Sequence, residues 1–229
     1  MKNAFWKKYW TNSDITKRVN LQAQVGRTIN RQPIDDSLWD LTLEYIKNQL
    51  ELGEDDEILD LCGGNGLISI PFSLICKSVI LADISETLLN QIDTYVHKNI
   101  TAIHSDILTL SFTDESFDKV IFYFAIQHFD EKEVLSILQK VFKWLRKGGS
   151  FYIGDIPDML KIWSFYNTKE RKRAYFNSIL DDKPIIGTWF TKDFLIKAGD
   201  FLNYSDCKTL NQPSYQINSH YRFDMILKK

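Results

Sequence analysis

From residue 57 onward the chain alternates short apolar runs with stretches of helical periodicity, and the runs stop at glycine or at a carboxylate. The run 57–61 leads into Cys62-Gly63-Gly64-Asn65-Gly66, 78–82 stops at Asp83, and 101–104 leads to Ser105-Asp106. The run 119–124 is strongly apolar, and 150–154 meets Asp155. Helices are expected between them at 66–76, 85–96 and 132–145, the last closed by the basic, glycine-ended LRKGG. Strands alternating with helices require right-handed crossovers and a parallel sheet covered on both faces. An earlier helix is expected from Asp35 or Asp36, a capping carboxylate, with Leu38, Leu41, Tyr45 and Ile46 facing the core.

After Pro157 the rhythm breaks. Aromatic-rich helices are expected at 158–167 and 168–180, another at 191–198, and strands near 204–210 and 220–227. The expected architecture is therefore α/β, doubly wound and Rossmann-like: a mostly parallel seven-stranded sheet with an antiparallel last strand, plus a helical lid and cap. A length of 229 residues suits one such domain. Its parts would be an N-terminal lid (1–34), a ligand-binding core (35–155), a helical cap (156–200) and a C-terminal hairpin (201–229).

The balance of 28 Lys and Arg against 30 Asp and Glu argues against a general nucleic-acid binder, which carries a basic excess. No apolar run has the length of a membrane span, and MKNAFWKKYW lacks the apolar centre and cleavage site of a signal peptide. Cys62, Cys76 and Cys207 are odd in number and lack metal-type spacing, so no metal site is expected and a reducing cytoplasm is the simplest location. Nothing in the sequence sets an oligomeric state.

The segment ILDLCGGNG carries the strongest chemical signal. Strand, glycine turn and helix bring backbone close to a ligand and aim N–H groups at it. Asp83 ends the next strand 17 residues after Gly66 (83 − 66 = 17). A carboxylate there can accept from both hydroxyls of a ribose. NAD and S-adenosylmethionine both satisfy this much. The third glycine of a dinucleotide fingerprint is replaced by Ser69, which weakens the NAD reading.

With ILADIS, His104-Ser105-Asp106-Ile107 and FDKVIFYFAIQHF following in order, the chain resembles the class I S-adenosylmethionine-dependent methyltransferases over roughly residues 35–155 and the final strand. The resemblance implies that Asp60, Gly63, Gly64 and Gly66 cradle the methionine and ribose parts. It implies Asp83 on the ribose, Ile84 against adenine, Asp106 on the adenine amino group with Ile107 beside it, and Tyr123 and Phe124 at the methionine end. Cys62 stands where the family has its first glycine, which is tolerable if φ is negative there. A buried structural thiol is its expected role. A non-catalytic cofactor-binding protein and an NAD-dependent oxidoreductase are the competing readings.

Methyl transfer from a sulfonium needs positioning, and a base only where the acceptor must lose a proton. His128 and Asp155, at strand ends, are the candidate bases; a helix-start imidazole and a turn carboxylate before Pro157 fit the same positions. The segments QVGRT, DLCGGNG, GTWF and YRFD resemble small methyltransferases of bacterial surface-polysaccharide pathways. That likeness implies a small anionic acceptor, such as a sugar nucleotide or phosphate-linked glycan precursor, faced by Arg27 and Arg222; surface salt bridges are the alternative for both. The run 169–173 reads as a solvated basic helix face, and the aromatics Trp163, Phe165, Tyr166, Tyr175, Phe176, Trp189 and Phe190 as the packing of a cap.

Overall fold

The computed structural model describes residues 2–17, 20–29, 32–181, 183 and 185–229. Seven strands form one sheet: β1 (Glu57–Leu61), β2 (Ser78–Asp83), β3 (Ile100–His104), β4 (Phe117–Tyr123), β5 (Leu145–Pro157), β6 (Asp206–Asn211) and β7 (Arg222–Lys228). Their order is β3-β2-β1-β4-β5-β7-β6. The first five pair in parallel, and β7 runs antiparallel to both β5 and β6. The chain winds outward from β1 through β2 and β3, then returns to lay β4 and β5 on its other side. The C-terminal ends of β1 and β4 thus flank the switch point where such sheets bind ligands.

The nine α-helical segments among the described residues are α1 (Lys2–Trp10), α2 (Leu21–Gln24), α3 (Asp36–Leu50), α4 (Ser69–Ser73), α5 (Glu86–Leu89), α6 (Glu131–Trp144), α7 (Ile162–Phe165), α8 (Lys169–Leu180) and α9 (Lys192–Phe201). Helix α6 begins on a reciprocal capping box between Asp130 and Glu133 and buries Val134, Ile137, Leu138 and Val141, one stripe of a 3.6-residue period. Helix α3 is capped by Asp35, as expected, but it buries Trp39, Leu43, Ile46 and Leu50. Leu41 is exposed and Leu38 and Tyr45 are only half-buried, so the core face lies one position away from the expected one.

Two crossover helices are shorter than their periodicity suggests. After Leu89 the Asp93 carboxylate accepts from the backbone N–H groups of Tyr95 and Val96, which offers the chain a turn in place of a helix. Beyond α4 the Asn99 amide donates to the carbonyls of Ser73 and Cys76, satisfying groups that another helical turn would have used. LRKGG does not close a helix. Leu145 is already extended, β5 starts there, and Arg146 pairs with Glu57 and Asp118 at the base of the sheet. The expected helix 158–167 is a 3₁₀ turn (Met159–Lys161) followed by the single turn α7.

The cap has its own small core of Ile162, Tyr166, Ile186, Trp189 and Tyr221. Trp163 and Phe176 are half exposed and contribute little to it. The basic run 169–173 is exposed, as a solvated face should be. The GTWF segment docks the cap: Thr188 donates its backbone N–H to the Gln127 carbonyl at 2.8 Å. A Cβ on Gly187 would stand 2.1 Å from that same oxygen, so only glycine fits there. No helix among the described residues is long and apolar enough to cross a membrane.

Candidate active site

Three residues at the C-terminal ends of the central strands hold left-handed backbone without being glycine: Cys62 (φ 58), Phe124 (φ 56) and Asp155 (φ 61). Each costs backbone energy that the fold must offset, and such residues gather where geometry serves a site. The negative φ that would let Cys62 replace a glycine without strain is therefore not what the fold adopts. Its thiol is half-buried, and burial, helped by Asp83, Asp60 and Asp106, pushes its pKa up, which makes it a poor nucleophile. Asp155 sits in the irregular register between Ile153 and Ile156, a bulge that re-aims its side chain.

The glycine turn lies against two buried carboxylates. Asp83 accepts from the backbone N–H of Gly64 at 2.9 Å and of Ser85 at 2.7 Å. Asp60 accepts from Ser69 Oγ at 2.6 Å. A Cβ on Gly63 would lie 2.7 Å from Asp60 Oδ2 and from Leu81 Cγ, so the close approach needs glycine. Gly64 and Gly66 take positive φ, which glycine alone adopts freely. Burial pushes the Asp60 pKa up to about 7, against the Ser69 hydrogen bond and with help from Asp83; burial likewise raises Asp83.

A folded-state pKa above the unfolded value means that the folded chain holds a proton the unfolded chain has lost. The stability tied to Asp60 therefore falls as pH rises from about 4 to about 7. Asp60→Asn is expected to match wild type in urea unfolding at pH 4 and to exceed it by about 2–4 kcal/mol at pH 8. An equal gap at both pH values would dismiss this account.

One pocket joins these groups. Its wall includes Asp60, Gly63, Gly64, Asp83, Ile84, Asp106, Ile107, Tyr123 and Phe124, nearly the whole expected cofactor set. Gly66 stays behind the turn, where a Cβ would press on Ile70. Asp106 carries an ion pair to Lys7 of α1 at 2.7 Å. Trp6, Lys7, Trp10, Val25 and Trp39 also line the pocket. Val25 belongs to the QVGRT segment, but Trp6, Lys7, Trp10 and Trp39 were not assigned from the sequence: aromatic and basic residues before the first strand follow no motif, and only contact with the sheet assigns them.

Arg27 reaches the same pocket from the N-terminal segment, and it is buried. Its guanidinium donates to Asp155 Oδ2 at 2.6 Å and to the Tyr123 hydroxyl at 2.7 Å, and lies over the rings of Trp39, Tyr123 and Phe124. Arg222 donates to the Asp155 carbonyl, lies 3.8 Å from its carboxylate and covers Phe124. Neither is a surface salt bridge. Asp155 also accepts from Gln212 and Asn218, and its own N–H donates to Asp224. Burial works to raise the Asp155 pKa, yet Arg222 and Arg27 hold it below the usual carboxylate range. Asp155 is thus the counter-ion of two arginines, with no spare basicity.

His128 differs as well from the base expected of it. Its Nε2 accepts the Trp10 indole N–H at 3.2 Å, and its ring packs 4.3 Å from Trp6. Burial, reinforced by Arg222, lowers its pKa to about 3, so it is neutral at physiological pH with its basic nitrogen occupied. A second chamber adjoins the first. Trp6, Trp10, Phe124 and His128 line both, while Arg222, Gln127, Phe165 and Tyr221 line only the second. Of the two arginines expected to face an acceptor, Arg27 borders the first chamber and Arg222 the second.

Comparison with known proteins bears on this geometry. The methyltransferase-domain family matches residues 58–149, the span from β1 to the start of β5. Over residues 58–149 the chain is therefore similar to a methyltransferase domain. A ubiquinone/menaquinone biosynthesis C-methyltransferase of Blochmanniella pennsylvanica is 30% identical over 146 residues, 59% of this chain and 53% of that protein. The counterpart of Saccharophagus degradans is 29% identical over 126 residues, 49% of this chain and 50% of that protein. The chain spans about half the length of these curated relatives. Magnesium protoporphyrin IX methyltransferase of Synechocystis, solved with S-adenosylhomocysteine bound, superposes with a TM-score of 0.64 at 15% identity, covering 99% of this chain and 98% of that one. Phosphoethanolamine N-methyltransferase 1 of Haemonchus contortus gives 0.68 at 13% identity, covering 99% and 48%. These structures share the fold of this chain. The pocket fits S-adenosylmethionine: Asp83 keeps lone pairs beyond its two backbone bonds, and Gly63 and Gly64 bring backbone without side chains to the wall beside it.

Proposed function

We propose that this chain transfers a methyl group from S-adenosylmethionine to a small anionic molecule. The carrying observation is the buried Asp83 carboxylate, tied to the glycine turn and open to a ribose. When bound, S-adenosylmethionine supplies a methyl group already activated on sulfur. In this reading Asp83 holds the ribose, Asp106 and Ile107 the adenine edge, and Ile84 its face. Arg27, Tyr123 and Phe124 border the methionine end. Trp6, Trp10 and the cap exclude water from the junction of the two chambers. An acceptor whose nucleophilic atom is already deprotonated needs no base, which accords with the engaged Asp155 and the neutral His128. Turnover is expected to show no limb of histidine ionisation between pH 5 and 8; a limb near 6.5 that vanishes in His128→Ala would restore His128 as the base.

The narrower expectation from the sequence, a sugar-nucleotide or phosphate-linked precursor of a surface polysaccharide, has Arg222 in its favour. The names of the curated relatives put forward a different acceptor, a carbon atom in quinone biosynthesis. A small-molecule partner, no nucleic acid and a reducing cytoplasm complete the reading; the three free cysteines support the last. Calorimetric titration with S-adenosylhomocysteine and, separately, NADH tests the cofactor. Binding of the first alone is expected, and binding of NADH alone would move the chain to hydride transfer.

A further inference from the structure

No residue of helix α8 is buried, yet one side of it is not that of a solvated helix. Its side chains fall on three stripes. Arg171 and Tyr175 face the cap: Arg171 donates to the Phe165 carbonyl at 3.0 Å and lies over the Phe165 ring, and Tyr175 packs on the cap core. The acids Glu170 and Asp181 fall on a second stripe with Ala174 and Asn177. The third stripe is Lys169, Lys172, Arg173, Phe176, Ile179 and Leu180, spaced by threes and fours. It is basic in its first half and apolar in its second. Phe176, Ile179 and Leu180 are 55%, 58% and 83% exposed, and the half-exposed ring of Trp163 lies 6.1 Å from Phe176 and extends the apolar end. Single exposed apolar residues are ordinary, whereas a contiguous set marks a surface that something covers. Lys169, Lys172 and Arg173 have no ion pair to any described residue.

We propose that this stripe docks the protein onto an anionic membrane surface, the apolar end of α8 and Trp163 dipping among acyl chains and the basic half resting on lipid phosphates. A bilayer presents both chemistries from one side, phosphate outermost and hydrocarbon beneath, in the order in which α8 carries their counterparts. The Lys and Arg stems lie along apolar surface while their charges stay at the headgroups. The whole chain has a net charge of -2, so attraction to an anionic surface has to come from this local cluster. A second copy of the chain fits the face less well, because a two-fold contact sets the three cations into one interface with their own images. Docking goes beyond the methyltransferase reading and needs no cofactor. It also holds the second chamber near lipid: the exposed Ile185, one of that chamber's walls, follows shortly after Leu180, and the Lys183 N–H donates to the Ser178 carbonyl, which ties the connecting segment to α8.

The test mixes the full chain with phosphatidylcholine vesicles, with and without phosphatidylglycerol, and reads co-sedimentation and tryptophan fluorescence. Binding to the anionic vesicles is expected to be at least about ten-fold tighter than to the neutral ones and to weaken as salt rises. It should shift tryptophan emission to the blue, a shift that Trp163→Phe removes. Lys169→Gln, Lys172→Gln and Arg173→Gln together should weaken binding to anionic vesicles about 10²-fold. Ile179→Ser with Leu180→Ser should weaken it at least about ten-fold. All five side chains are exposed, so both variants should keep the wild-type thermal midpoint. Absence of vesicle binding, or equal binding to both compositions, would overturn the proposal. So would binding that the serine variant leaves unchanged, since charge alone would then carry it. A dimer in sedimentation equilibrium that the serine variant abolishes, without vesicle binding, would assign the face to a second copy of the chain instead.

Discussion

Asp155→Ala is expected to lower stability by about 3–5 kcal/mol, the range for removing one partner of a buried ion pair. The carboxylate is 1% exposed, and it is the anion that faces both Arg27, 2% exposed, and Arg222, 3% exposed. Without it two guanidinium groups share a water-excluded volume with no counter-charge, and the Gln212 and Asn218 amides lose an acceptor. For a chain of this size the midpoint of thermal unfolding should fall by roughly 6–20 °C. Arg27→Met should cost less in the Asp155→Ala background than alone, because the second change then removes an unpaired charge. A catalytic base behaves otherwise: its loss stops turnover and leaves the midpoint nearly where it was. An Asp155→Ala protein that melts like wild type would therefore return Asp155 to the candidate bases.

That same network marks where sequence reasoning reached its limit. Asp83, Asp106 and the glycine turn were legible because a strand end fixes each of them locally: a short apolar run, then the residue. The sheet was legible for the same reason, since period and turn residues state where each strand stops. Asp155 was visible as a strand-end carboxylate, but its partner Arg27 lies 128 residues away in a segment of weak periodicity. Asp224 was read as part of a strand, and its bonds to Tyr152, Gln212 and the Asp155 backbone exist only after β7 inserts beside β5. The tautomer and charge of His128 follow from Trp10, 118 residues earlier, and from burial beneath α1. Residue type suggested a base; the environment makes it a neutral donor. Helix lengths failed for a local reason, because Asp93 and Asn99 offer the backbone bonds that periodicity does not register.

Asp83→Ala is expected to weaken S-adenosylhomocysteine about 10²–10³-fold in calorimetry. The size follows from the loss of two hydrogen bonds to a charged acceptor, each worth about 1.5–3 kcal/mol, reduced by the burial cost the carboxylate no longer bears. That cost is real here, since burial raises the Asp83 pKa even with the N–H groups of Ser85 and Gly64 opposing it. The substitution also frees those two N–H groups, so part of any loss could arise from a slackened glycine turn. Asp83→Asn separates the two causes. Its amide oxygen can still accept from one backbone N–H and hold the turn, while the charge that a ribose diol reads is gone. Similar weakening in both variants, with thermal midpoints close to wild type, locates the effect at the ribose. Weakening in alanine alone locates it in the turn and leaves the diol without its carboxylate. Unchanged affinity in both removes Asp83 from the site altogether, and the fit of S-adenosylmethionine to this pocket would then have to rest on the adenine end at Asp106, where the cofactor must compete with Lys7 for the carboxylate.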